Sequence, residues 1–279
     1  MTVTTTRAFS AAAIDAGRAT GRAVLVGYLP VGFPDVAGSI EAAKALVDGG
    51  VDVLELGLPY SDPLMDGPVI QHAVDAALRA GTRTRDVLSA VEQVAATGTP
   101  VLVMTYWNPI DRYGVQRFAA DLAAAGGAGL ITPDLIPDEG PDWIAASDAA
   151  DLERVFLVAP SSTSIRLRQT AAACRGWTYA ASTMGVTGVR GSVGSGARDL
   201  VARTRAAGAE RVCVGLGVST REQAAEVAEY ADGVIVGSAF VRAITETGAG
   251  TAAGRVAGLR ALRTLAEQLS HGVREGRRA

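Results

Sequence analysis

The sequence predicts an α/β protein, a (β/α)8 barrel of the TIM type, and three observations predict it. Short runs rich in Val, Ile, Leu and Ala recur along the chain, each followed by an alanine-rich segment with helical spacing of its apolar residues. The runs are apolar throughout rather than alternating, as parallel strands covered on both faces are. Eight such units fit the 279 residues, which matches the content and size of a barrel. A doubly wound open sheet is the competing architecture. It has fewer strands and often carries its glycine signal after the first strand, where Gly27-Tyr28-Leu29-Pro30-Val31-Gly32 is a poor match.

The elements follow in order. Residues 8–16 read as an added N-terminal helix that closes the bottom of the barrel. Strands are expected at 23–29, 51–57, 100–106, 129–132, 155–159, 177–181, 211–216 and 234–237, each a β-branched or apolar run. Helical patterns lie between them at 36–48, at 69–80 with 84–96, and at 116–125, 141–149, 164–174, 197–207, 220–229 and 239–247. An added C-terminal helix spans 254–269, with Val256, Leu259, Leu262 and Leu265 at helical spacing, and the residues after it are expected to fray. No linker or low-complexity stretch divides the chain, so residues 1–279 read as one domain with a core of about 20–270.

Composition narrows the chemistry. With 48% hydrophobic residues the chain buries a large core, and a net charge of -3 gives no reason to expect nucleic acid or an anionic membrane as partner. No apolar run reaches the length of a membrane span, and residues 1–7 lack the apolar core of a signal peptide. Cys174 and Cys213 read as reduced core thiols of a cytoplasmic protein. Lys44 is the only lysine and sits in an amphipathic helix pattern, so no pocket lysine is offered for a Schiff base. The only histidines are His72, near a helix start, and His271, in a polar tail. They form no zinc cluster and no Ser-His-Asp triad, and no carboxylate spacing suggests a metal. An enzyme built this way works with carboxylates, hydrogen bonds and positioning.

The chemistry-bearing stretch is Leu54-Glu55-Leu56-Gly57-Leu58-Pro59-Tyr60-Ser61-Asp62-Pro63-Leu64-Met65-Asp66-Gly67-Pro68. Glu55 sits near the end of a buried strand, where desolvation disfavours its charged form. Asp66 follows on the loop above. A carboxylate on a rigid strand and another on its loop suit an acid/base pair; the plain structural reading is a hydrogen-bonded Glu and a helix-capping Asp. A second cluster lies after the last strands: Gly215-Leu216-Gly217-Val218-Ser219-Thr220, with Thr220 as a helix cap, and Gly237-Ser238 directly before a helix. Glycine backbone and a helix N-terminus accept a phosphate there. The segment 182–196 is long, glycine-rich and polar, as a lid is.

Together these motifs resemble the tryptophan synthase alpha subunit family from Tyr28-Leu29-Pro30-Val31-Gly32-Phe33-Pro34 to Gly237-Ser238. The strand-two string with Ile70-Gln71 is the most specific part, followed by Gly185-Val186-Thr187-Gly188 and Gly215-Leu216-Gly217-Val218-Ser219. The resemblance implies a lyase that cleaves indole-3-glycerol phosphate to indole and glyceraldehyde 3-phosphate. It implies Glu55 as general acid/base and Asp66 as the group that holds the indole N–H and stabilises the cation, with the division of proton transfers open. It places the phosphate on Gly188, Gly217, Gly237 and Ser238. Tyr28, Met104 and Tyr179 would line the indole slot, and Thr187 would meet Asp66 when the lid closes.

The resemblance also implies a β subunit as partner in an α2β2 heterotetramer. The partner would hold the pyridoxal phosphate, and this chain no cofactor. The docking surface would include Pro59, Asp62, Trp107-Asn108-Pro109 and Asp134 with its neighbours 133–137, with the prolines expected to be exposed. The chain departs from the common form after Gly188, where Val189-Arg190-Gly191-Ser192-Val193 replaces a charged lid segment, and it has Tyr28 and Tyr60 where several relatives have Phe. Three other readings compete: a free-standing indole-glycerol-phosphate lyase, a non-catalytic phosphate-binding barrel that regulates a β subunit, and a phosphoribosyl isomerase barrel, which lacks the strand-two string.

Overall fold

A computed structural model of the chain describes residues 7–181, 195–215, 217–248 and 251–276. Eight parallel strands close into a barrel in sequence order: β1 (Val24–Pro30), β2 (Val53–Gly57), β3 (Val101–Met104), β4 (Gly129–Thr132), β5 (Glu153–Val158), β6 (Thr178–Ala181), β7 (Val212–Gly215) and β8 (Gly233–Val236). The strands are apolar on both faces because both faces are covered. Val24, Val26, Val53, Leu102, Ile131, Val155, Cys213 and Ile235 fill the lumen with Trp177. Their neighbours Leu25, Leu54, Leu56, Val101, Val103 and Leu130 pack outward.

The outward face meets a ring of helices: α1 (Ser10–Ala19) before the barrel, then α2 (Val36–Asp48), α3 (Pro68–Arg79), α4 (Thr84–Ala95), α5 (Trp107–Tyr113), α6 (Val115–Ala124), α7 (Pro141–Ala149), α8 (Ser164–Ala173), α9 (Ser195–Ala206), α10 (Arg221–Ala228), α11 (Ser238–Thr245) and α12 (Ala252–Glu275). Side chains satisfy several helix starts. Asp35 accepts from Gly38 N at 2.6 Å, and Thr251 accepts from Gly254 N at 3.0 Å. Thr220 caps α10, and Gln223 reaches back to complete the box. Among the described residues no helix is long and apolar enough to cross a membrane.

α1 closes the N-terminal end of the barrel. Ile14 enters the lumen cluster, and the start of the helix is held by a buried carboxylate. Ser10 N, Ala11 N and the Ser10 hydroxyl all donate to Glu153, and Trp177 Nε1 donates to Ser10 Oγ at 2.9 Å. An anion at a helix N-terminus also meets the favourable end of its dipole. Further along, Asp232 is fully buried, accepts from Val212 N at 2.7 Å, and faces Arg18 at 3.5 Å and Arg205 at 3.1 Å.

The structure departs from the sequence expectation at several places. Residues 107–113, expected as loop, form α5; Pro109 sits in its first turn, where a missing N–H breaks no helical bond. α1 runs three residues further than expected, to Ala19. β5 begins at Glu153 rather than 155, because this charged residue turns to the α1 start. α12 continues to Glu275 instead of fraying after 269. Leu269, Ser270, Gly272 and Val273 are buried, a Cβ on Gly272 would strike the Arg221 carbonyl, and Glu275 pairs with Arg221. His271 therefore lies exposed on a helix rather than in a tail.

Glu153→Ala strips three donors at the start of α1 of a common acceptor, and leaves the two of Ser10 buried. A loss of about 2–4 kcal/mol is expected in urea unfolding, with Trp177 fluorescence reporting the loosened floor.

Candidate active site

The strand alternation that fills the lumen with Val53 also turns Glu55 inward, since residues two apart share a face. In the ladder Glu55 is paired with Tyr28 on β1 and Leu102 on β3. Its side chain has no solvent exposure, and neither carboxylate oxygen has a hydrogen-bond partner among the described residues. Burial alone pushes the Glu55 carboxyl up to about 8. The group therefore holds a proton at neutral pH and releases it close to neutrality.

Asp66 stands on the loop between β2 and α3. Gln71 Nε2 donates to its carbonyl at 2.8 Å, and the Tyr106 hydroxyl donates to Oδ1 at 3.3 Å. Burial raises its carboxyl, and the Tyr106 hydrogen bond works against that rise. Glu55 and Asp66 line one cavity of about 90 Å3 at the C-terminal end of the barrel. Tyr28 and Tyr179 line it from β1 and β6. Burial above all raises both phenols well above their ordinary value, with Asp66 next for Tyr28 and Glu55 next for Tyr179, so both remain O–H donors. Each ring occupies space ceded by a glycine on the next strand: a Cβ on Gly57 would strike the Tyr28 hydroxyl, and a Cβ on Gly215 the Tyr179 hydroxyl. Met104 and Leu157 supply apolar wall, as does Ile235.

Gly217, Gly237 and Ser238 line the same cavity. Gly217 adopts φ +71°, a conformation that favours glycine. Gly237 lies against the Tyr28 ring, where an added Cβ would come to 3.2 Å from Cδ1. Ser238 is the first residue of α11, whose opening N–H groups have no acceptor within the helix. Thr187 and Gly188, with the glycine-rich segment around them, lie outside the described residues.

The expected docking residues sit beside this mouth, with one correction. Pro59 is buried, not exposed: Leu58 N donates to the Met104 carbonyl, and Thr105 Oγ1 donates to the Leu58 carbonyl, which flattens this turn onto the strand ends. Trp107, Pro109, Pro133 and Pro137 are half-buried. Asp62, Asn108 and Asp134 are exposed. Both oxygens of Asp134 accept from Trp107 N, at 2.9 and 3.1 Å, so this acid caps α5; Asn108 Nδ2 donates to the Tyr60 hydroxyl at 3.4 Å. Lys44 and His72 are exposed on α2 and α3, away from the cavity lining.

Tyr106, Met65, Ile70, Leu157, Ala181 and Ile235 carry no site role in the sequence reading, and Pro133, expected only in the docking surface, also lines the cavity. Leu157 and Ile235 were within reach of that reading, because strand alternation from Val155 and from Gly233 turns them inward. Tyr106, expected as the last residue of the third strand, lies two residues beyond the end of β3, which stops at Met104, so strand alternation does not place it.

A closed parallel barrel with one buried and one half-buried carboxylate over an apolar slot, and glycine backbone from its last strands on the same cavity, defines a (β/α)8-barrel enzyme of the acid–base type. The chain belongs to the tryptophan synthase alpha chain family: the family's sequence model matches residues 14–273. It is thus a carbon–carbon lyase of tryptophan biosynthesis. It is 60% identical to the tryptophan synthase alpha chain of Acidothermus cellulolyticus over 92% of this chain and 94% of that one. Identity to the Mycobacterium marinum protein of the same name is 58% over 94% and 93%. A chain in a structure of Mycobacterium tuberculosis tryptophan synthase superposes with TM-score 0.89 at 55% identity, covering 96% of this chain and 99% of that one. Tryptophan synthase subunit alpha from Legionella pneumophila keeps TM-score 0.84 at 31% identity over 95% and 97%.

The Glu55 carboxyl carries a linkage signature. Its folded value of about 8 stands above the ordinary 4.5. Between those pH values the folded chain keeps a proton that the unfolded chain has released, so stability falls as pH rises through that window. Urea unfolding from about pH 5 to pH 9 is expected to show this slope in wild type and to lose it in Glu55→Gln, which becomes the more stable protein at the alkaline end.

Proposed function

We propose that the cavity cleaves indole-3-glycerol phosphate with Glu55 and Asp66 as its two working groups. The observation that carries the reading is the lumen-facing Glu55, without a hydrogen-bond partner among the described residues and with its raised carboxyl, in one cavity with Asp66 and the glycine backbone of Gly217 and Gly237. Glu55 delivers its proton to indole C3, which places positive charge on the ring nitrogen. Asp66 accepts the indole N–H and stabilises that charge, an electrostatic role that is strongest in a water-poor site. The Glu55 carboxylate then takes the proton of the adjacent glyceryl hydroxyl. The carbon–carbon bond breaks, its electron pair returns to the ring, and indole and glyceraldehyde 3-phosphate result with Glu55 again protonated.

The indole ring lies in the slot made by Tyr28, Met104 and Tyr179. The phosphate is held by Gly217, Gly237 and Ser238, with Gly188 as a further contributor. Thr187 closes over Asp66. A β subunit docks at the mouth through Asp62, Asn108 and Asp134 in an α2β2 assembly and carries the pyridoxal phosphate of the second reaction. Pro59 contributes there through the shape of its turn rather than as an exposed proline. The chain works in the cytoplasm without a cofactor of its own.

Indole release by the purified chain tests the assignment. Glu55→Gln and Asp66→Asn are each expected to fall by at least about a hundredfold with unfolding curves that retain a cooperative transition. Substantial turnover in Glu55→Gln removes its proton-transfer role. Wild type is expected to accelerate when a tryptophan synthase β subunit is added; equal rates with and without it would support a free-standing lyase.

A further inference from the structure

Tyr106 is the group in contact with Asp66 that the reaction scheme leaves without a task. It is buried, and the chain on both sides of it is fastened. On one side, Thr105 N donates to the Ile131 carbonyl at 3.2 Å and Thr105 Oγ1 to the Leu58 carbonyl at 3.2 Å. On the other side, Trp107 N is held by Asp134. The ring packs on Tyr60 with centroids 5.4 Å apart. The phenol oxygen is thus a fixed point between β3 and α5, and the β2–α3 loop reaches it at two places. Met65 N donates to it at 2.9 Å, and Asp66 Oδ1 lies 3.3 Å away.

A phenol has one proton. The Met65 N–H can only donate, so it occupies an oxygen lone pair and leaves the Tyr106 proton for Asp66. We propose that Tyr106 is a positioning residue for Asp66: it fixes the loop through Met65 N–H, holds Oδ1 of the carboxylate by donation, and leaves Oδ2 free to take the substrate's ring N–H. This inference rests on the role given to Asp66 above. No hydrogen bond to Oδ2 is made among the described residues.

Chemistry supports the direction of the bond. Burial is the main cause that pushes the Tyr106 hydroxyl up to about 12, so it does not give up its proton. A donor aimed at a carboxylate favours the ionised form, which is the form an emerging cation needs. The other groups that face Asp66 do not replace it. Tyr28 on β1 and Tyr179 on β6 act on it from across the cavity, and Glu55 on β2 is itself an acid. No cation forms an ion pair with Asp66 among the described residues. The 3.3 Å separation is long for a charged pair, in keeping with catalytic hydrogen bonds that tighten only around substrate.

The test compares wild type, Tyr106→Phe, Asp66→Asn and the double variant in the full chain. Three readouts are taken: indole release from about pH 5.5 to pH 9, urea unfolding, and an NMR titration of the Asp66 side-chain carbon. Tyr106→Phe is expected to lower kcat/KM about tenfold at neutral pH. Its acid limb is expected at higher pH, with the loss shrinking as pH rises. The Asp66 titration moves upward in parallel, and in the Asp66→Asn background the Tyr106 change has no further effect. A purely structural tyrosine would lower stability and leave both titrations where they are. An acid limb and an Asp66 titration that overlay those of wild type overturn the proposal even if activity falls. Full turnover by Asp66→Asn instead defeats the role of Asp66 in the reaction, and the present inference with it, an outcome distinct from the first.

Discussion

The rest of the site depends on a carboxylic acid held inside a parallel barrel with no group among the described residues to neutralise it. Glu55 occupies a lumen position that its neighbours on the same strand face fill with valine or glycine. Placing an ionised carboxylate there without a partner is unfavourable by several kcal/mol, so the group answers by keeping its proton. The barrel makes this possible because every strand is paired on both sides. No sheet edge admits water to the lumen, and α1 shuts the opposite end. A carboxyl that keeps its proton near neutrality is thus a product of closure rather than of any adjacent charge.

Asp66 illustrates the contrary solution. It lies on a loop, at the mouth, and three parts of the chain restrain it: Gln71 through its carbonyl, Tyr106 through its carboxylate, and Met65 through the same phenol. Two acids a short stretch of sequence apart are thereby given different environments, one by removal of water and one by directed hydrogen bonding. In the proposed reaction the scaffold contributes rigidity where the proton is stored, and loops contribute orientation where charge develops.

The barrel could be read in the sequence because strands covered on both faces announce themselves as unbroken apolar runs, and the same pattern placed Glu55 in the core. Capping chemistry was equally readable at Thr220. What escaped was set by contacts distant in sequence. α5 looked like loop because its Trp-Asn-Pro start has little helical character, yet Asp134 supplies the cap from across the next βα unit. The final turns of α12 looked dispensable until α10 and the Arg221–Glu275 pair were in place to cover them. Pro59 reads as a surface proline in any linear view and is buried only because the β2 turn folds down on β3. Tyr106 carries no motif at all; its place against Met65 and Asp66 is set by geometry alone.

The pairing of each mouth tyrosine with a glycine on the adjacent strand limits how this slot evolves. Its width is a property of two residues at a time, Tyr28 with Gly57 and Tyr179 with Gly215. Trimming a ring alone opens a void over bare backbone, while a methyl on the glycine alone displaces the ring. Only coordinated exchange across neighbouring strands keeps the wall intact. A lineage drifting toward a bulkier or slimmer aromatic ligand must therefore cross an intermediate that packs poorly, which favours conservation of ring size over gradual broadening of substrate choice.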